Sequence, residues 1–217
     1  MKTTISFQKL LWAFFAFIGG LILVRFIYTG KYAFIFLIWN LFLAWIPFTI
    51  STFFKMIANA DKWKQVIVFS AWLIFFPNAL YIVTDLIHLE QETSVPKWYD
   101  AVLLFSSSAI GVIMAFVSLL QVERYLAHKF NRTVVQVIVF SILFLGSFGV
   151  YLGRFLRWNS WDIISNPLGL LSSIGQRFVF PLQHIQTWGI TIILTTAFYL
   201  LYLVIKKLPG YLNQAIQ

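Results

Sequence analysis

The chain has 217 residues, of which 60% are hydrophobic, 19% aromatic and only 11% charged, an apolar share well above that of a soluble domain. The composition indicates an all-α, polytopic integral membrane protein, with residues 1–217 forming a single transmembrane helical domain and no separate soluble domain. The absence of Cys excludes disulfides, thiolate nucleophiles and Cys-ligated metal or iron–sulfur sites, and the net charge of +9 is typical of loops facing anionic lipid rather than of nucleic-acid binding.

Six apolar segments are long enough to cross a bilayer, which takes roughly 20 mostly apolar residues in a helix. They alternate with short polar connections, so a bundle of six transmembrane helices is expected. The predicted spans are residues 10–27, 32–53, 63–83, 99–120, 133–152 and 188–205.

The connection between the fifth and sixth spans is too long to be a simple turn. It contains "SNPLGLLSSIGQRF", in which Ser165 or Asn166 is a candidate N-cap and Pro167 suits the first helical position. The apolar run that follows is too short to cross the membrane. A short interfacial or re-entrant helix is therefore expected here.

The distribution of Lys and Arg predicts the orientation of the bundle. Cytoplasmic loops carry the excess of these residues, and the more basic side of the six-span arrangement is the side that holds both termini. We therefore expect a cytoplasmic-membrane protein with both termini in the cytoplasm. The basic residues assigned to that side are Lys2, Lys9, Lys55, Lys62, Lys64, Arg124, Lys129, Arg132, Lys206 and Lys207.

The third span ends in the stretch "FFPNALYIVTDLIHL", which places polar residues among aliphatic and aromatic ones. On a continuous α-helix, Asn78, Tyr81, Asp85 and His88 share one stripe about 80° wide. Because polar groups are costly in lipid, this stripe is expected to face protein or water. Pro77 is expected to kink the helix and to free carbonyl groups beside Asn78.

Two further spans end on the same, outer side with polar residues. "WYD" places Asp100 at the start of the fourth span, and "GRFLRWNSWD" follows the fifth. Arg154 and Arg157 are three residues apart and are expected to share a helix face, with Asn159 and Asp162 close behind. At similar depth, these residues are expected to meet Asp85 and His88 in one outer polar site.

These blocks resemble the signature blocks of a bacterial integral membrane family called domain of unknown function 1361. The resemblance rests on "FFPNALYIVTDLIHL", "WYD" and "GRFLRWNSWD" and runs from about the second span to the sixth. It implies a bacterial membrane protein and no particular reaction. It also supports the grouping of Asn78, Asp85, His88, Asp100, Arg154, Arg157 and Asp162.

Structural explanations exist for the same residues. Asp100 can serve as the N-cap of the fourth span and Asp162 can likewise cap a short turn. Arg154 and Arg157 can reach the headgroups or pair with Asp85. Asn78 and Asn40 can be buried amides bonded to backbone carbonyls. The glycines and aromatic residues nearby suit close helix packing and an interfacial aromatic belt: Gly146, Gly149, Gly153, Gly111, Trp98, Tyr99, Trp158, Trp161 and Trp188.

The chemical alternatives start from His88, with Asp85 and Asp100 as the other candidate catalytic residues. Asp85 and His88 can ligate a metal together with Asp100 or Asp162. Without a metal, Asp85 can orient His88 as a general base while Arg154 and Arg157 bind an anion. The residue pattern does not choose between these, so the metal content stays unknown.

Three classes of function follow. The chain can be a membrane-embedded enzyme acting on an anionic lipid-linked substrate, a transporter or a protein that binds anions or lipids, or an assembly protein whose polar cluster locks the helices. Membrane lipids are the expected partners, and the oligomeric state is not determined. The segment "GSFGVYLG" lies within a span and is therefore not a nucleotide fingerprint. Haem bound through His88 and His184, both on the outer side, is geometrically possible, but no haem attachment motif accompanies them.

Overall fold

The computed structural model describes residues 6–90 and 94–215 of the chain. Within that part, six helices are long and apolar enough to cross a membrane, which confirms the predicted all-α polytopic fold. The α-helices are α1 (Phe7–Thr29), α2 (Phe36–Thr52), α3 (Phe54–Ile57), α4 (Lys62–Tyr81), α5 (Lys97–Ala127), α6 (Arg132–Leu156), α7 (Asp162–Ser165), α8 (Pro167–Val179) and α9 (Ile185–Ala215), and 3₁₀ segments cover Ile82–Glu90 and Pro181–His184.

The long helices form a bundle around α5, which runs through its centre. In the most apolar stretch of α5, 67% of the residues are buried inside the protein, against 22% for α1 and for α9. The flanking helices α1 and α9 therefore expose most of their apolar side chains, as expected for surfaces in contact with lipid. Near the middle of the bundle, Trp72 donates from Nε1 to the Ser118 hydroxyl at 2.6 Å, and that hydroxyl donates to the Pro47 carbonyl at 3.2 Å.

The helices alternate in direction, so the bundle has two ends with different side chains. One end holds the Asp85–Arg154 ion pair and is called here the Arg154 end. The other holds the pair between Glu123 and Lys206 and is called the Glu123 end. The candidate site residues that the sequence analysis placed on the outer side lie at the Arg154 end.

Glycines on α6 allow α4 to approach closely. A Cβ on Gly149 would lie 2.9 Å from two ring atoms of Pro77, and a Cβ on Gly153 would lie 3.2 Å from the Tyr81 ring. Both distances are shorter than ordinary carbon contacts, so only glycine fits there without displacement. The expected role of these glycines in close helix packing is confirmed.

The third span is not one continuous α-helix, and that part of the prediction is wrong. The α-helix ends at Tyr81 and a 3₁₀ helix continues from Ile82. At this junction the Thr84 hydroxyl donates to the Tyr81 carbonyl at 2.6 Å, and the Ser108 hydroxyl on α5 donates to the Ile82 carbonyl at 3.0 Å. Side-chain hydroxyls thus bond carbonyls where the helix type changes.

The predicted short helix is present as α8. Asn166 is its N-cap, with a side-chain oxygen that accepts from the Gly169 amide at 3.1 Å, and Pro167 opens the helix. Leu168 and Leu171 are exposed, whereas Leu170 and Ile174 face a cleft in the bundle. This two-faced pattern is typical of a helix lying along a membrane interface.

Aromatic packing attaches α8 to the bundle. The Trp188 ring stacks on Phe148 of α6 with 5.8 Å between ring centroids and meets Phe178 of α8 edge-on at 5.0 Å. Trp188 also donates from Nε1 to the Arg177 carbonyl at 3.3 Å. Trp188 therefore anchors α8, which goes beyond the interfacial role expected of it.

Candidate functional site

Asp85 lies at the centre of a polar cluster at the Arg154 end. Its side chain is only 1% exposed, and Arg154 reaches it from α6 with Nη2 as the donor. The amide of Asn40 on α2 donates to the other carboxylate oxygen at 2.7 Å. Asn40 was expected to bond backbone carbonyls, but it instead supplies a donor to a buried anion, which needs such partners.

Arg154 connects three helical segments through one guanidinium group. Its Nε donates to the Thr84 hydroxyl at 2.7 Å, its Nη1 lies 3.3 Å from His88 Nε2, and its Cζ lies 4.5 Å from the centre of the Tyr81 ring. The planar guanidinium suits this because its five donors point in fixed directions. The residues joined in this way are called the Arg154 cluster: Asn40, Tyr81, Thr84, Asp85, His88 and Arg154.

The contact with Arg154 defines the state of the His88 ring. A guanidinium can only donate, so the Nε2 of His88 accepts and the ring is neutral, with its proton assigned to Nδ1. The ring also packs against Phe36 at 4.9 Å between centroids. The Nε2 atom is therefore engaged with a cation, which disfavours its use as a metal ligand.

Asp100 belongs to a separate ion pair. It accepts from Arg25 Nε at 2.8 Å and from Arg25 Nη2 at 3.2 Å, and both side chains are almost fully buried. The Arg25 guanidinium also lies 4.5 Å from the centre of the Phe34 ring. The N-cap of α5 is Pro96, so the expected capping role of Asp100 is wrong. Asp100 thus has Arg25 as its charge partner and Asp85 has Arg154, and among the described residues the three do not form a group placed to hold a metal ion.

Arg25 was not identified as a site residue from the sequence. The available signal was one Arg inside an otherwise apolar helix, since a charge there needs a buried partner. A second tie between the same helices comes from Tyr99, whose hydroxyl donates to the Leu21 carbonyl at 2.7 Å.

Arg157 does not join Arg154. The helix α6 ends at Leu156, and Arg157 caps it in the left-handed conformation with φ of 60° and an exposed side chain. The expectation that the two arginines share a helix face is wrong, because that expectation required α6 to continue through Arg157.

Asp162 has a local role in the loop after α6. Its carboxylate accepts from the Asn159 amide at 2.7 Å and from the Ser165 hydroxyl at 2.9 Å. These hydrogen bonds, chiefly the one from the Asn159 backbone, lower the pKa of Asp162. The alternative in which Asp162 shapes a short turn matches this geometry, and the set with Asp100 or Asp162 as a metal ligand beside His88 is not assembled.

Asn78 joins the loop after α6 to α4 by hydrogen bonds. Its amide donates to the Phe75 carbonyl at 3.0 Å and to the Ser160 hydroxyl at 2.9 Å, while Ser160 donates back to Asn78 Oδ1 at 3.3 Å. The carbonyl contact was expected, but Ser160 was missed. Its only sequence signal was its place inside "GRFLRWNSWD".

A cleft of about 310 Å³ opens beside the Arg154 cluster, between α2, α4, α6, the following loop and α8. Of the predicted site residues, Asn78, Tyr81 and Asn159 line it, whereas Asp85, His88, Asp100, Arg154, Arg157 and Asp162 are not among its lining residues. The polar and aromatic residues lining the cleft are Trp39, Asn40, Asn78, Tyr81, Trp158, Asn159, Ser160 and Trp161.

On the inner side of Asn78, α4 places mainly aromatic side chains in the bundle. Trp72 and Phe76 are fully buried below Asn78, with their rings 4.7 Å apart. The hydroxyls of Ser107 and Thr195 bond carbonyls of their own helices at 2.9 and 2.6 Å. In the same described part of the chain, no group of three or more His, Cys, Asp or Glu is placed to hold a metal ion.

Comparison with known proteins gives one family. A family model described as "Protein of unknown function (DUF1361)" matches residues 39–201. The match begins in α2 and ends in α9, so it includes the Arg154 cluster and the cleft but not Arg25. No curated protein and no solved structure matches the chain.

Proposed function

The chain belongs to the DUF1361 family of proteins of unknown function, and from the geometry of the cleft we propose that it binds the polar headgroup of an amphiphile. In this proposal it is a bacterial cytoplasmic-membrane protein with both termini in the cytoplasm. The Arg154 end then faces outward, and membrane lipids surround the bundle.

The lining of the cleft carries the proposal. It combines aromatic rings with amides and hydroxyls, and no Lys, Arg, Asp or Glu is among its described lining residues. The rings of Trp39 and Trp161 pack at a tilt in its wall, with 6.5 Å between ring centroids. Such a surface suits a headgroup rich in hydroxyl or amide groups, because rings provide contact area and amides provide both donors and acceptors.

The position of the cleft suits a ligand that arrives from the membrane. With about 1.5 Å of rise per residue, Asn78 lies roughly 22 Å along the third span from Trp63, below the far side of a hydrocarbon layer of about 30 Å. The α8 wall places Leu170 and Ile174 in the cleft. Its neighbours Leu168 and Leu171 are 79% and 63% exposed, so an apolar tail can leave the cleft along this helix.

The Arg154 cluster supports the cleft in this proposal. Asn40 and Tyr81 line the cleft and also contact the buried Asp85–Arg154 pair. The ion pair thereby fixes the orientation of two lining side chains. Catalysis by His88, Asp85 and Asp100 stays a prediction, because none of them is a lining residue. An anionic lipid-linked substrate also stays a prediction, since its candidate ligands Arg154 and Arg157 do not line the cleft.

Filling the cleft with a larger side chain tests the proposal. Leu170→Trp adds a ring inside the cleft, and Leu171→Trp makes the same change on the exposed face of the same helix. Each protein is extracted in an amine-oxide detergent, which carries no sugar or amide group. The mass of each retained amphiphile is then measured by native mass spectrometry, and the amphiphile is identified after solvent extraction.

We expect wild type and Leu171→Trp to retain the same amphiphile and Leu170→Trp to lose it. Equal retention by both Trp variants would place the ligand outside the cleft and overturn the proposal. A wild-type protein that retains no headgroup-bearing amphiphile, and is not stabilised by lipids extracted from its own membrane, would overturn it as well.

A further inference from the structure

A second cavity lies at the Glu123 end, far from the cleft. Its volume is about 550 Å³, and it is bounded by the end of α2, by α3 and by the last turns of α5. Its lining includes the polar and basic residues Ser51, Lys55, Gln121, Arg124, Tyr125 and His128.

The charge in this cavity is not balanced by nearby acids. Lys55, Arg124 and His128 line it, and no described lining residue is Asp or Glu. The two acids at this end are engaged elsewhere. Asp61 pairs with Lys64 at 2.9 Å, and Glu123 pairs with Lys206 and accepts from the Tyr202 hydroxyl.

The three basic side chains have donors available. Among the described residues, Lys55, Arg124 and His128 form no ion pair and no side-chain hydrogen bond. By contrast, Lys129 at the same end donates to Gln65 Oε1 and lies 4.7 Å from the centre of the Tyr125 ring. Lys55 comes from α3, and Arg124 and His128 come from the end of α5; charged donors of this kind are what binds an anion.

The inner wall of the cavity is tightly packed. Phe54 is 1% exposed and packs against Tyr125 with 4.9 Å between ring centroids. The Tyr125 hydroxyl donates to Gln65 Oε1 at 2.7 Å, which ties α5 to the start of α4. Lys55 on α3 and Arg124 on α5 are therefore presented from two helices that are fixed relative to each other.

The depth of the cavity matches that of lipid phosphates. The 31 residues of α5 give a length of about 46 Å, which exceeds a hydrocarbon layer of about 30 Å. The last turns of α5, with Gln121 and Arg124, therefore extend into the headgroup region. Basic pockets between membrane helices at this depth suit phosphate-bearing headgroups.

We propose that this cavity is a phosphate-binding site in which Lys55, Arg124 and His128 surround the anion. The phosphate is carried either by the headgroup of an anionic phospholipid or by a soluble phosphate compound. The site is independent of the cleft at the Arg154 end, and the two are tested separately.

The test compares two pairs of charge-neutralising substitutions at the same end of the bundle. Lys55→Gln with Arg124→Gln removes two cavity donors. Lys62→Gln with Lys207→Gln removes two exposed charges outside the cavity and is the matched control. Binding of phosphatidylglycerol is titrated by native mass spectrometry, with phosphatidylcholine as the uncharged comparison. Inorganic phosphate is titrated at constant ionic strength by the shift in melting temperature.

We expect the cavity variant to bind phosphatidylglycerol at least about tenfold more weakly than wild type, because charge-assisted hydrogen bonds are lost. The control variant should bind it as wild type does.

Loss of phosphatidylglycerol binding in the cavity variant identifies a lipid headgroup as the source of the phosphate. Loss of the inorganic phosphate effect alone identifies a soluble phosphate compound. Equal weakening in both pairs would indicate nonspecific attraction to a basic surface and overturn the proposal. Wild type that prefers neither anion would overturn it too. If the double variant does not fold, His128→Gln alone provides the same comparison.

Discussion

Arg25 on α1 and Asp100 on α5 form a two-point ion pair, with donor–acceptor distances of 2.8 and 3.2 Å, although they lie 75 residues apart in the chain. The pair is almost completely buried, with Arg25 2% exposed. It fixes the peripheral helix α1 to the most buried helix of the bundle.

Breaking this pair from one side should destabilise the protein strongly. Asp100→Ala leaves the Arg25 guanidinium buried without its carboxylate, and a loss of about 3–5 kcal/mol is expected for such a change. Replacing both residues, by Arg25→Met and Asp100→Leu, should recover much of the loss because no buried charge remains. Unfolding in detergent followed by circular dichroism measures both. Asp61→Asn, which breaks the exposed ion pair with Lys64, is the control because such surface pairs contribute little. A double variant as unstable as Asp100→Ala would contradict the expectation.

The Arg154 cluster should behave as one energetic unit. Asp85→Ala and Arg154→Ala each leave the other residue of the ion pair without its partner. The double variant should therefore lose about 2 kcal/mol less free energy of unfolding than the two single variants lose in sum. Arg154→Lys should rescue only part of the loss, since a single ammonium cannot reproduce the fixed donors that reach Thr84, His88 and Asp85. A double-mutant cycle on the free energy of unfolding measures the coupling. Additive losses would show that the pair has no coupled contribution.

Gly149→Ala should push α4 away from α6. The added Cβ would lie 2.9 Å from two atoms of the Pro77 ring, which is rigid and cannot rotate aside. A loss of about 1–3 kcal/mol is expected from such overpacking. Gly189→Ala in α9 is the matched control, because nothing lies within 4 Å of its Cβ position. Thermal unfolding of the two variants gives the comparison, and similar melting temperatures would refute the close contact.

Ser160→Ala should loosen the loop above the cleft. It removes both hydrogen bonds with Asn78, at 2.9 and 3.3 Å, at a cost of about 1 kcal/mol. Amide hydrogen exchange should therefore accelerate in residues 157–162 while α5 stays protected. The control is Ser172→Ala on α8, where the serine is exposed. Unchanged exchange in the loop would mean that other contacts hold it.

The proposed orientation can be tested by labelling, because the chain has no native Cys. Ser94 and Asn59 are exposed in loops at opposite ends of the bundle. We expect Ser94→Cys to react with a membrane-impermeant maleimide in intact cells and Asn59→Cys to react only after permeabilisation. The reverse pattern would place the termini outside.

The proximity of Asp85 and His88 could be predicted from the sequence because local geometry decides it. Asp85 and His88 lie three residues apart, and this spacing brings them to one face in a 3₁₀ helix as well as approximately in an α-helix. Arg157 shows the opposite case. Its predicted alignment with Arg154 depended on one more turn of α6, and helix ends are the least certain part of any such pattern.

The sequence by itself determined the six spans, the short helix α8 and the polar character of one end of the bundle. These follow from the length of apolar runs and from capping residues, which act locally. Only the tertiary structure decided that Asp100 pairs with Arg25, that Asn40 bonds Asp85 and that a neutral cleft lies beside the Arg154 cluster. The physical reason is that lipid and protein interior are both apolar, so hydropathy does not define how each helix is rotated toward its neighbours. Close packing at glycines and cross-helix hydrogen bonds determine that rotation, and they appear only when distant segments meet.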